Sequence, residues 1–237
     1  MNRIFKFSMK EGIKSKQYLA ATLIVVIISL NGLINSVNTS TISLNLFYYF
    51  MFSVFICVLM IPISLSIIVL NEKTSGRCEY YLANNVKLSD LIGAYSKTVM
   101  ILSFIPVIIY HIITNIYSGV VNKLYIINVT LNFRTILFIF VLAIFTFIIS
   151  RYLTILIMIS KKPDTIKTFL MVFNILGIYA VVFPINYLVE KGVKFNLNNV
   201  MIYYIVIILL LSIICTILTS LSKNKLNNET IILSYKE

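Results

Sequence analysis

The stretch N-E-K-T-S-G-R-C-E-Y-Y-L-A-N-N-V-K-L-S-D-L-I-G, Asn71 to Gly93, holds three of the chain's eight carboxylates. Long apolar runs flank it: Leu46 to Leu70 has no charged residue, and Tyr95 to Ser118 has only Lys97 and the single histidine, His111. A hydrocarbon core of roughly 30 Å is crossed by about 20 apolar helical residues, which either run supplies. The stretch therefore reads as a polar handle between two membrane spans.

Composition extends this reading to the whole chain. Hydrophobic residues make up 59% of the 237, charged residues 12%, and mean hydropathy is +0.97; ordinary soluble domains carry about 25% charged residues. Irregular backbone facing lipid leaves amide groups unpaired, so the spans are helices. The apolar runs are continuous, without the alternating ten-residue segments of a membrane barrel. The expected fold is an all-α membrane domain over residues 1–237 with six transmembrane helices: Tyr18–Val37, Leu46–Leu70, Tyr95–Ser118, Phe133–Ile159, Ile166–Leu188 and Val200–Leu221.

Charge placement orients the bundle. Lys and Arg number five before the first span, four from Asn71 to Lys97, three from Lys161 to Lys167 and three in the tail, against four (Lys123, Arg134, Lys191, Lys194) on the other side. The positive-inside rule then places both termini and the 71–93 segment in the cytosol of a bacterial cell. The net charge of +12 is spread over these loops and forms no module for reading nucleic acid.

Residues 1–17 put Arg3, Lys6, Lys10 and Lys14 on one helical face beside Ile4, Phe5, Met9 and Ile13. That pattern predicts an interfacial helix with its basic face toward lipid head groups. The long basic region and the lack of a small-residue cleavage pattern set the first apolar run apart from a signal peptide. Cys57, Cys78 and Cys215 show no metal or disulfide spacing. No G-x-x-x-x-G-K-[ST] loop occurs, so no nucleotide site is expected in this chain.

Within the spans the sequence is poor in ionisable groups. None of the six runs contains Asp or Glu, which weighs against a proton relay or a sodium-coupled carrier. Arg151 and His111 remain as pathway or structural candidates. Arg151 reads as an arginine snorkelling toward the interface, and His111 as a hydrogen-bonded packing residue. Pro62, Pro106 and Pro184 are expected to kink or break their helices. Ser29, Gly32, Gly177 and Ala180 are candidates for close helix packing. The tyrosines near run ends fit an interfacial belt.

In the central stretch, Gly76 is expected to stop the helix leaving the second span. A short helix then starts with Glu79 near its N-terminus and Tyr80, Tyr81 and Leu82 as contact residues. Asn84 and Asn85 form a turn, and Ser89 or Asp90 caps the next helix. The segment resembles the one after the second span of ABC-2 type transporter permeases, at Glu72, Lys73, Gly76, Glu79, Leu82, Ala83, Val86 and Gly93. Arg77, Cys78 and Asn85 stand where that family commonly has threonine, leucine and proline. The resemblance implies a coupling segment at 71–93, with Glu72, Lys73, Gly76, Glu79, Tyr81 and Leu82 as ATPase-coupling residues. It further implies two paired permeases, alike or different, and cytosolic ABC ATPase subunits that hold ATP and Mg, with no cofactor, metal or catalytic residue in this chain. Pro184 would mark a re-entrant break before the sixth span. The small outer loops are similar to those of permeases that export lantibiotic or bacitracin-type peptides. Lipid or polysaccharide export, or an ATPase-independent channel, carrier or scaffold, are the alternatives.

Overall fold

The structure, a computed structural model, describes residues 2–39, 42–120, 133–160, 162, 165–173, 175, 179 and 197–223. Helix α1 covers Asn2–Lys14 and α2 Lys16–Thr39. The break between them falls at Ser15, whose hydroxyl accepts the Tyr18 amide at 3.4 Å, as an N-cap residue does. Helix α3, Ile42–Leu65, passes through a π-helical turn at Ser66–Leu70 into the short α4, Asn71–Thr74. Helix α5 is Arg77–Ala83, α6 is Leu88–Val120, α7 is Phe133–Ile159 and α8 is Leu197–Lys223. Among the described residues there is no strand.

Among the described residues five helices are long and apolar enough to cross a membrane: Lys16–Asn35, Tyr48–Thr74, Leu88–Tyr117, Thr135–Ile159 and Tyr204–Ser222. They correspond to five of the six expected spans. The remaining one, 166–188, falls mostly outside the described residues, which are helical at 165–173; Pro184, Gly177 and Ala180 lie outside them too. Two differences from the expected boundaries shape the polar handle. The second span does not end at Leu70 but continues helically to Thr74, and the third begins at Leu88 rather than Tyr95. Ser89 and Asp90 therefore sit inside the first turn of α6 instead of capping it. The acidic Asp90 still lies where the positive end of the helix dipole favours it.

Neighbouring spans pack in the order α2, α3, α6, α7, α8, with α1 laid across α6 and α2. Helix α3 is central: 72% of its most apolar stretch is buried, against 17% for α8 at the edge. Lipid-facing positions are large and apolar, among them Leu23 and Ile27 on α2, Ile112 and Ile116 on α6, Phe140 on α7 and Leu210 on α8. Because lipid tails are as apolar as these side chains, close packing and polar contacts hold such a bundle together. Buried hydroxyls of Ser53, Ser96, Thr98, Thr146 and Thr154 bond back to the carbonyl four residues earlier. Pro106 has no N–H for the Leu102 carbonyl, which would cost several kcal/mol in hydrocarbon if left unpaired. Tyr18 on α2 donates its hydroxyl to that carbonyl at 2.8 Å, so the proline break becomes a tie between two spans. Gly12 lets α1 lie close: a Cβ there would collide with Leu102 and press on Ile68.

Candidate functional site

The polar handle is built from helix ends. After Thr74 the chain turns at Gly76, whose φ of +73 is left-handed. A Cβ there would meet nothing within 4 Å, so the backbone angle, not space, calls for glycine. Seven residues of α5 follow, and Asn85 at φ 61 reverses the chain toward α6. The Asn84 side chain donates to the Tyr80 carbonyl at 2.8 Å and closes the end of α5.

Inside this handle lies a charged clamp. The Glu72 carboxylate is 2% exposed; it accepts from Tyr95 Oη of α6 at 3.2 Å and from Arg77 at 3.3 Å. The same Arg77 Nη1 reaches both carboxylate oxygens of Glu11 on α1, at 2.9 and 3.0 Å, and its guanidinium lies 5.3 Å from the centre of the Phe7 ring. Arg77 thereby joins α1, α4 and α5, and Glu72 extends the network to α6. The Cys78 sulfur is 3.7 Å from Tyr95 Oη, and burial pushes its thiol up to about 12.

Lys73 reaches the other way. Its ammonium, on a residue 5% exposed, donates to the carbonyls of Ile157 at 2.8 Å and Met158 at 3.0 Å, and to Ser160. These are among the last carbonyls of α7, which have no partner within their own helix. A cation there also faces the negative end of the helix dipole. Lys73 is thus a tertiary C-cap for a helix 84 residues away in sequence.

The six residues expected at the coupling position are divided by the fold. Glu72 and Lys73, expected on an exposed loop, lie inside and bind the bundle's own helices. Leu82 is buried at 8% exposure, Tyr81 is half-buried and packs on the core, and Glu79 is half-buried in the first turn of α5. Tyr80 is the outward contact, 67% exposed, beside exposed Ala83 and Asn84. Sequence reasoning missed the clamp's third member, Arg77, and the burial of Glu72 and Lys73. A signal for the latter existed: they follow the buried Ile68 and Val69 by one helical turn, so carrying the helix past Leu70 would have turned them inward.

The other candidates lie apart from the clamp. Arg151 is half-buried on α7, about 12 Å from the helix end at Ile159 by helical rise. Its Nε has no hydrogen-bond partner among the described residues. His111 is buried at the opposite end of the bundle, where Nδ1 is hydrogen-bonded to Tyr49 Oη. Tyr110, tilted, and Phe50, edge-on, pack around Tyr49, with ring centres 5.8 and 5.5 Å away.

A groove of about 730 Å³ runs beside the clamp, between α1 and the end of the second span. Phe7 and Ile67 contribute apolar surface, and Lys10, Glu11, Lys14 and Arg77 contribute charge. No family model, curated protein or solved structure matches the chain.

Proposed function

We propose that this chain is the transmembrane permease subunit of an ATP-driven exporter of the ABC-2 type, in a bacterial cytoplasmic membrane with both termini cytosolic. The observation that carries the reading is α5, a short helix between two spans with Tyr80 outward and its base fixed by Arg77, Glu72 and Lys73 to α1, α6 and α7. A force applied to the exposed side of such a helix passes to these three elements at once, because each connection is a charged or hydrogen-bonded contact rather than a flexible loop.

In this reading cytosolic ATPase subunits dock on the α5 face around Tyr80, and ATP closure moves the spans. A second permease, identical or related, completes the pathway. The substrate is amphipathic or hydrophobic, such as an antimicrobial peptide, which fits spans without carboxylates better than it fits an ion. Glu72 and Lys73 contribute from within, as transmission residues; Gly76, Glu79, Tyr81 and Leu82 shape and seat α5.

Purification of the tagged chain from its own host in mild detergent, with mass spectrometry of co-eluting proteins, tests the reading. A soluble subunit with a phosphate-binding loop is expected. Tyr80→Ala should reduce its recovery without changing membrane insertion or thermal stability, and Glu79→Lys should do the same through charge reversal. Recovery of the chain alone, under conditions that keep multisubunit transporters whole, would overturn the exporter reading in favour of a channel or scaffold.

A further inference from the structure

The groove between α1 and the end of the second span combines three features in one place. Its charge is unbalanced: Lys10, Lys14 and Arg77 line it against the single acid Glu11. Glu11 is engaged by Arg77, whereas Lys10 and Lys14 are exposed and form no ion pair among the described residues. The Ser15 hydroxyl and the Asn71 side-chain amide stand beside these cations, while the Thr74 and Ser75 hydroxyls donate to the Asn71 and Glu72 carbonyls. The groove also opens at the foot of a lipid-facing line. Ser15, which lines it, precedes Leu19, Leu23 and Ile27 at four-residue steps on α2, and these are 49%, 63% and 62% exposed. Each of these residues neighbours the next on the helix surface, the line winding gradually around α2.

We infer that this groove is a binding site for an anionic phospholipid, its phosphate head group held by Lys10, Lys14 and Arg77 and an acyl chain lying along Leu19, Leu23 and Ile27. A soluble anion would use only the first half of this surface, and a soluble protein would have no use for the second. The lipid would wedge α1 against the base of the clamp through Arg77. This inference rests on the membrane-spanning character of the chain and does not depend on a partner ATPase.

The test uses the full chain in detergent, equilibrated with mixed micelles of phosphatidylglycerol and phosphatidylcholine, re-isolated and assayed for bound phospholipid by mass spectrometry. Phosphatidylglycerol should be retained in preference to phosphatidylcholine. Lys10→Gln with Lys14→Gln should weaken its retention about 25-fold, at about fivefold per basic residue near an anionic head group. Glu11→Gln, which removes the groove's acid and releases Arg77, should strengthen it, and Lys87→Gln, outside the groove, should leave it unchanged. Leu23→Ser should weaken it as well, and excess glycerol 1-phosphate should displace it poorly. Equal retention by the double lysine variant, or equal retention of phosphatidylcholine by the parent, would overturn the site. Complete displacement by glycerol 1-phosphate would overturn the lipid in favour of a free phosphate ligand. Loss of a co-purifying soluble protein with lipid retention intact would make the groove a protein-docking surface instead.

Discussion

Replacing Lys73 by methionine keeps the length and apolar stem of the side chain and removes only the ammonium. In the parent that ammonium serves the carbonyls of Ile157, Met158 and Ser160 at the end of α7. Each carbonyl left buried without a donor costs about 1–3 kcal/mol. The loss is partly offset because an ammonium no longer has to be desolvated, itself a cost of several kcal/mol. The net expectation is a loss of about 2–4 kcal/mol. For chains of this length that corresponds to a fall in Tm of roughly 4–16 °C. The cysteines supply the assay: with the half-buried Cys215 replaced by serine, only Cys57 and Cys78 remain, both fully buried, so a fluorogenic maleimide reacts with them as the bundle opens, and its signal against temperature traces unfolding. Lys73→Gln, which restores a neutral donor of similar reach, should fall between the parent and Lys73→Met. A Tm for Lys73→Met within about 2 °C of the parent, below the shift that even 1 kcal/mol produces, would refute the claim that the ammonium caps α7.

Tyr18→Phe keeps the ring and removes the donor that Tyr18 supplies to the Leu102 carbonyl; it should cost about 1–3 kcal/mol, read as a lower Tm in the same maleimide assay. Arg77→Met should destabilise more than Glu11→Gln, because the first strands the buried Glu72 while the second breaks a pair whose side chains are 45% and 42% exposed, a contact worth under about 1 kcal/mol and weakened by salt; melts at low and high ionic strength separate the two. Burial pushes the folded Cys78 thiol to about 12, while an unfolded thiol titrates near about 8.5. Its contribution to stability is therefore complete below the unfolded value and is lost as pH climbs toward the folded one. Circular dichroism melts across mildly alkaline pH should show a steeper decline for the parent than for Cys78→Ala, and parallel declines would count against the assignment.

The apolar runs made the spans legible because a membrane imposes one requirement, length without charge, that a sequence states directly. The C-terminal end of Phe133–Ile159 is legible to the residue, since the polar Ser160 stops the apolar run there. Gly76 was legible for a local reason too: a helix stop followed by a new helix needs a left-handed residue, and glycine supplies it. The second and third spans are longer than their apolar runs, because charge ends an apolar run without ending the helix. At Glu72 and Lys73 the charges instead continue the helix and find partners in the bundle. Those partners cannot be read from periodicity. Glu11 and Arg77 are 66 residues apart, and Lys73 and Ile157 are 84 apart; only the packing of α1 on α5 and of α4 on α7 brings them together. Tyr18 was equally hidden, since its interfacial location explained it well enough without the carbonyl that Pro106 releases.

Arg77 has the largest consequence of these long-range contacts. A threonine here would be too short to reach from α5 to both α1 and α4. In this chain the arginine spans that distance and meets Glu11 on one side and Glu72 on the other. Glu72 would otherwise be a buried carboxylate served by Tyr95 alone, a costly arrangement. The two departures from a plain loop, an arginine after the glycine and a helix carried inward to Thr74, therefore explain each other: the inward helix buries an acid, and the arginine supplies its counter-charge while drawing α1 onto the same point. A threonine at this position should consequently be tolerated only together with a neutral residue at position 72. Arg77→Thr alone should lower Tm more than Arg77→Thr combined with Glu72→Gln. If the double variant melted below the single one, Glu72 and Arg77 would have to act on stability independently of each other.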